Sequence, residues 1–288
     1  MGRLPPERSA IYAIALTGVA LVCFASNSIL CRLALGGASP DPVGFTAVRL
    51  VAGGLLLAVL FPRSLYSPRR ESLGTGALLT SYALFFSLAY TNLTAGTGAL
   101  LLFGSVQLTM VAWSLVSGQR VGLVSALGLG AATFGLVWLV LPGVRQPPLA
   151  AAAAMCLAGA SWGAYSLVGK RIGDAKGETA RAFAVASVLI GVFWLVCQPG
   201  YRLTEREACL AVISGALTSG LGYVIWYSAL GLISTITASA VQLTVPTLAA
   251  IFGVMLLGES FSPRIALCSA LILGGVGLVV WQNARKRA

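Results

Sequence analysis

The sequence predicts an all-α membrane protein of ten transmembrane helices, arranged as two inverted five-helix repeats with both termini cytoplasmic. Three observations carry that prediction. First, 58% of the 288 residues are hydrophobic and only 9% are charged, with a mean hydropathy of +0.90. A soluble domain carries roughly 25% charged residues, so the 27 charges here (19 basic plus 8 acidic) fall well short of coating a globule. Second, those charges sit between ten long apolar windows instead of being scattered. Third, with the first residues inside, 13 lysines and arginines fall on the cytoplasmic side and 5 on the other, with Arg49 inside a helix. That bias has the sign of the positive-inside rule. The formal net charge of +11 therefore reflects orientation and attraction to anionic headgroups, not a nucleic-acid footprint.

Each window is judged against a bilayer core of about 30 Å, which takes roughly 17–25 helical residues. In lipid every backbone polar group must be satisfied within its own segment, so a window that spans is a helix. The first window, 11–31, follows Arg3 and Arg8 but exceeds the roughly 7–15 apolar residues of a signal peptide, and reads as a membrane helix. Window 42–61 carries Arg49, and window 73–90 presents Tyr82, Phe86 and Tyr90 at every fourth residue, which makes one stripe. Windows 93–116 and 121–141 complete a first half, with Gln107 in the former. A Pro/Gly-rich break at 142–148 separates it from the second, giving halves 1–145 and 146–288. Window 149–169 holds Trp162 and Tyr165, and window 182–197 is the shortest, at 16 residues. Window 208–230 holds Tyr223, Trp226 and Tyr227, and window 233–258 holds Gln242 with Pro246, whose missing N–H predicts a kink. Window 265–283 closes the chain.

Five crossings per half is an odd number, so the second half runs inverted relative to the first. Phe24, Asn27 and Arg32 match Trp162, Tyr165 and Lys170 at an offset of 138; Ala89, Gly118 and Gln119 match Ala229, Gly258 and Glu259 at 140. Inverted repeats are a transporter signature, with the substrate site near the midplane where the halves meet. The glycine clusters, including Gly53-Gly54, Gly128, Gly215, Gly220 and Gly275, are expected to let helices approach closely.

Chemistry is narrowed mostly by what the sequence omits. It has no histidine, and all eight carboxylates lie at or beyond window ends. An enzyme needs a metal cluster, paired acids or a nucleophile beside a base, and a proton-coupled pump uses buried acids or histidines. Neither set is present, so no enzyme and no cofactor are expected, and movement down the substrate gradient is the simplest energetics. The six cysteines (Cys23, Cys31, Cys156, Cys197, Cys209, Cys268) all lie in apolar windows and read as packing residues. Arg49 lies roughly 10 Å along its window; it either meets a substrate carboxylate or, the reading favoured here, snorkels or binds backbone carbonyls to fix the bundle. The candidate site is a cavity between the halves lined by Tyr82, Trp162, Tyr165, Tyr223, Trp226 and Gln242, with Asn27 and Gln107 added. Rings with polar tips at mid-window need partners there, which a cavity or an interhelix hydrogen bond supplies.

Several of these residues also carry a family resemblance. Arg49 after the Pro42-led start, Leu256-Leu257-Gly258-Glu259 at the end of the ninth window and Ser117-Gly118-Gln119 as its counterpart resemble the drug/metabolite transporter superfamily, EamA type. Ser81-Tyr82, Trp162-x-Ala164-Tyr165 followed by Lys170, and Ile213-Ser214 with Thr218, Gly220, Tyr223 and Trp226 are similar to YddG-type aromatic amino-acid exporters. The resemblance implies a multi-pass protein of the inner (cytoplasmic) membrane. It implies export of small amphipathic metabolites, aromatic and other amino acids first, by alternating access. The alternative within the superfamily is a carrier of sugars, nucleotide sugars or phosphorylated metabolites. The partners implied are a small-molecule substrate and membrane lipid, without nucleic acid, and a single chain is expected to suffice.

Overall fold

The computed structural model describes residues 6–67, 69–116, 123–140, 147–169, 172, 174–197, 203–230, 232, 241–242, 244–260 and 262–285. Every regular element among them is helical. The first half holds α1 (Pro6–Leu35), α2 (Pro42–Leu60), the short α3 (Pro62–Leu65), α4 (Glu71–Tyr90), α5 (Ala95–Val116) and α6 (Leu123–Val140). The second holds α7 (Leu149–Gly169), α8 (Ala175–Cys197), α9 (Glu205–Ile213), a π-helical segment (Ser214–Leu221), α10 (Gly222–Leu230), α11 (Val245–Leu257) and α12 (Pro263–Arg285). Six spans are long and apolar enough to cross a bilayer: Ile11–Leu35, Pro42–Leu60, Glu71–Tyr90, Leu149–Gly169, Lys176–Val196 and Glu205–Ala229. Four shorter apolar helices accompany them.

Outward faces carry Leu55, Val59, Val116, Leu123, Val188, Val196, Met255 and Leu256, all largely exposed. In water so much apolar surface marks aggregation; against lipid it is the ordinary exterior. Inside, one cluster of buried side chains runs through most of the helices, with Phe45, Leu50, Leu57, Leu79 and Phe183 among its least exposed members. Glycines set the closest approaches. A Cβ at Gly128 or Gly275 would strike the other's carbonyl oxygen, so α6 and α12 touch backbone to backbone.

The structure changes four of the expected elements. The shortest window, 182–197, is the apolar part of a 23-residue helix, because α8 starts earlier and buries Glu178, Thr179 and Arg181 in its first turns. Arg181 Nε donates to Glu178 Oε2 at 3.0 Å, and Glu178 accepts the Ser72 and Thr75 hydroxyls of α4 at 3.0 and 2.6 Å. The pairing and the two hydroxyl donors offset part of the cost of burying those charges. At the front of the chain, window 11–31 lies within the longer α1, which takes in Arg32. Window 208–230 is divided by the π segment. Pro246 lies at the start of a described helix and not inside one: it stands in the first turn of α11, where its missing N–H costs nothing. Residues 233–240 and 243 of that ninth window, 142–146 of the break, Gly118, Gln119 and Lys170 lie outside the described residues.

Opposite ends of the bundle are tied differently. At one end Arg32 of α1 donates to the Tyr90 and Thr91 carbonyls, both at 3.1 Å, and lies 3.7 Å from Glu259. Gly258 (φ +64°) ends α11 in the left-handed conformation that glycine adopts without strain, which turns Glu259 back onto the start of α5. There both carboxylate oxygens accept the Ala95 N–H at 2.9 Å. Burial pushes the Glu259 carboxyl above the usual range, opposed by the Ala95 N–H and by Arg32. The other end is closed by the Arg181–Glu178 network, which joins α8 to α3 and α4.

Candidate functional site

Between the two tied ends, α1, α4, α5, α7, the π segment and α10 enclose a small cavity. Its volume is about 20 Å³, enough for one water and far too little for a metabolite. The described conformation is therefore collapsed onto its own side chains. α4 contributes Tyr82 and Phe86, α7 contributes Trp162, and α10 contributes Tyr223. The Trp162 ring lies 4.9 Å from Tyr82 and 4.8 Å from Tyr223, so one indole bridges rings from both halves. Phe86 is 5.4 Å from Tyr82, while Phe24 of α1 meets Tyr223 edge-on at 6.0 Å. These are the distances at which aromatic pairs attract beyond their burial.

The polar part comes from α1 and the π segment. Asn27 Oδ1 accepts the Ser214 hydroxyl at 2.6 Å, and the Thr218 hydroxyl lies 3.1 Å from it. Both Asn27 and Thr218 line the cavity. No hydrogen bond among the described residues uses the Asn27 amide hydrogens, which leaves two donors beside the rings. The π segment has a physical reason to sit here. A Cβ at Gly215 would collide with the Arg49 carbonyl, and one at Gly53 would lie 2.8 Å from the Gly215 carbonyl. α2 and the segment thus cross in backbone contact, and the wider π turn sets Ser214, Thr218 and Ser219 toward α1 and α2. Single π turns inside α-helices recur at functional sites.

Arg49 does not snorkel. It is 1% exposed and binds side chains instead of carbonyls. Its Nε and Nη2 donate to Ser219 Oγ at 3.3 and 3.2 Å, and Nη2 also donates to the Tyr82 hydroxyl at 3.4 Å. The guanidinium carbon stands 5.1 Å from the Phe86 ring centre and 5.6 Å from that of Tyr82. Nη1 has no hydrogen-bond partner, and no carboxylate pairs with the charge among the described residues.

Of the eight residues expected from the sequence, Asn27, Tyr82, Trp162 and Tyr223 line the cavity. The other four do not. Tyr165 stacks behind Trp162 at 5.5 Å and donates to the Thr179 hydroxyl at 3.4 Å. Trp226 stands behind Phe24 at 5.8 Å, against Ala20. Gln107 is buried one helical turn beyond Phe103, and Gln242 is half-buried; neither lines the cavity. Conversely, Phe24, Ser28, Phe86, Leu102, Phe103 and Thr218 line the cavity without being among the eight. Ser28 is the neighbour of Asn27, a clue the sequence did contain, whereas a π turn leaves no 3.6-residue period to flag Thr218.

Residues 149–281 match the EamA-like transporter family. An uncharacterized protein of Pseudomonas aeruginosa is 44% identical over 92% of this chain and 93% of its own length. The threonine/homoserine exporter RhtA of Escherichia coli is 29% identical over 81% of this chain and 80% of its own. YoaV of Bacillus subtilis, described as an uncharacterized transporter, is 22% identical over 85% and 89%. A crystal structure at 17% identity superposes with a TM-score of 0.67 over 96% of this chain and 99% of the other, which shows a shared fold. By the family match and the near full-length relative together, the chain belongs to the EamA-like transporter family.

Proposed function

We propose that the protein exports small amphipathic metabolites, amino acids with aromatic or apolar side chains first, across the cytoplasmic membrane by alternating access. The observation that carries this reading is the collapsed cavity, where rings from α4, α7 and α10 meet the Asn27 amide midway between two tied ends. Rings supply flat apolar surface, and the amide and hydroxyls pair with an amino or carboxylate group without holding it too tightly for release. The similarity to a threonine/homoserine exporter supports an amino-acid cargo. Tyr82, Trp162, Tyr223 and Asn27 contact the cargo in this reading; Tyr165 and Trp226 brace the rings, and Gln107 and Gln242 take no direct part.

The ten helices form inverted halves, 1–145 and 146–288, with both ends of the chain cytoplasmic. A pattern at the starts of α2 and α8 supports the halves. Asp41-x-x-Gly44-x-Thr46-Ala47 and Asp174-x-x-Gly177-x-Thr179-Ala180 share four residues at an offset of 133. In each, the aspartate accepts the N–H of the glycine three residues on, at 2.8 and 3.0 Å. Efflux of a labelled amino-acid panel from liposomes tests the reading. Aromatic and apolar amino acids should leave faster than from empty liposomes, at an unchanged rate when a protonophore is added. Efflux equal to that of empty liposomes for the whole panel contradicts it.

A further inference from the structure

The buried guanidinium of Arg49 has a hydroxyl on one side and aromatic rings on the other, and no anion pairs with it among the described residues. A charge held away from water costs several kcal/mol unless it is paired. Two hydroxyls and two ring faces offset part of that cost, yet Nη1 has no hydrogen-bond partner among the described residues. The carboxylates that form ion pairs among the described residues offer no relief: Glu259 binds Ala95 and Arg32, while Glu178 and Asp174 bind Arg181. Asp41, the acid nearest in sequence, is eight residues away, about 12 Å along the helix. Tyr82, which accepts from Nη2, is itself part of the cavity lining, so the charge lies one side chain from the site.

We propose that Arg49 binds the anionic end of the cargo, and that the cargo accordingly carries a single carboxylate group on an apolar or aromatic body. This rests on the exporter reading and narrows it. As the cavity opens, a carboxylate replaces Tyr82 beside Nη2 and meets the unpartnered Nη1. Those are the two parallel donors of a guanidinium–carboxylate fork. One guanidinium stands at this cluster, and the other arginines that form ion pairs, Arg32 and Arg181, lie at the bundle ends. A single positive charge suits a single carboxylate. A phosphate dianion would need a second cation here.

The test uses the full chain in liposomes, with uptake of phenylalanine, its carboxamide phenylalaninamide, which lacks the carboxylate, and phenyl phosphate measured against empty liposomes. A charged hydrogen-bonded pair contributes roughly 1.5–3 kcal/mol, so wild type should prefer phenylalanine to the amide by about tenfold or more. Arg49→Gln should erase that preference by slowing phenylalanine while changing the amide less than about twofold. A role limited to holding the bundle would slow both alike and leave the ratio intact, which overturns the proposal. If Arg49→Gln fails to reach the membrane, Arg49→Lys decides: the phenylalanine rate falls while the acid-over-amide order persists, and an unchanged rate overturns the proposal. Faster uptake of phenyl phosphate than of phenylalanine overturns the carboxylate assignment. A wild type that moves acid and amide equally overturns this inference alone. One that moves neither overturns the exporter reading with it.

Discussion

Trp162 illustrates how a single side chain joins the halves: its indole contacts Tyr82 on one side and Tyr223 on the other, with Tyr165 stacked behind. Trp226 touches the same system only through Phe24. Trp162→Ala should therefore lower amino-acid efflux by about fivefold or more, from the loss of two ring contacts worth roughly 0.5–1.5 kcal/mol each. Trp226→Ala should cost distinctly less, and both proteins should reach the membrane in wild-type amounts. Efflux assays on matched liposomes check this; equal losses would mean that the cavity is not centred on Trp162. Residue types were readable from sequence because a ring or amide at mid-window stands out against leucine and alanine. Facing was less so. Tyr82 and Trp162 line the cavity while Gln107 and Gln242 do not, and apolar residues all round each helix leave no moment to orient it.

Among the elements, the π segment has the least sequence signature and the closest packing. Apolar windows located the helices, since charge spacing and bilayer thickness suffice for that. They did not reveal that Ser214–Leu221 widens, because the cause is a tertiary contact: Gly215 lies directly on the Arg49 backbone. Likewise, α8 is longer than its apolar window because Glu178 and Arg181 pair across to α4 and α3, which composition alone does not disclose. Gly215→Ala places a methyl group into the Arg49 carbonyl, where neither backbone has room to yield. Overpacking of this kind costs roughly 1–3 kcal/mol. The variant should melt lower in detergent and transport more slowly, whereas alanine at Gly191, which has open space around it, should leave both unchanged. Thermal melts of the two variants side by side check it, and equal melting temperatures would mean that α2 and the π segment do not meet so closely.

For the whole molecule, two polar networks close the ends of the bundle and leave a collapsed aromatic cavity between them. Arg32 and Glu259 tie α1 to α5 and α11 at one end; Arg181 and Glu178 tie α8 to α3 and α4 at the other. Alternating access requires that these ties release in turn around a central site. Every carboxylate that takes part in them lies at a helix end, away from the cavity, so the cycle we propose moves the cargo without a proton. The most direct measurement is counterflow. Liposomes carrying the protein are loaded with unlabelled phenylalanine, diluted into a trace of labelled phenylalanine with a protonophore present, and followed for label inside. The account predicts a transient accumulation of label above its outside concentration, absent from empty liposomes and strongly reduced by Trp162→Ala. Label that never exceeds the level in empty liposomes, or accumulation that the protonophore abolishes, would contradict it.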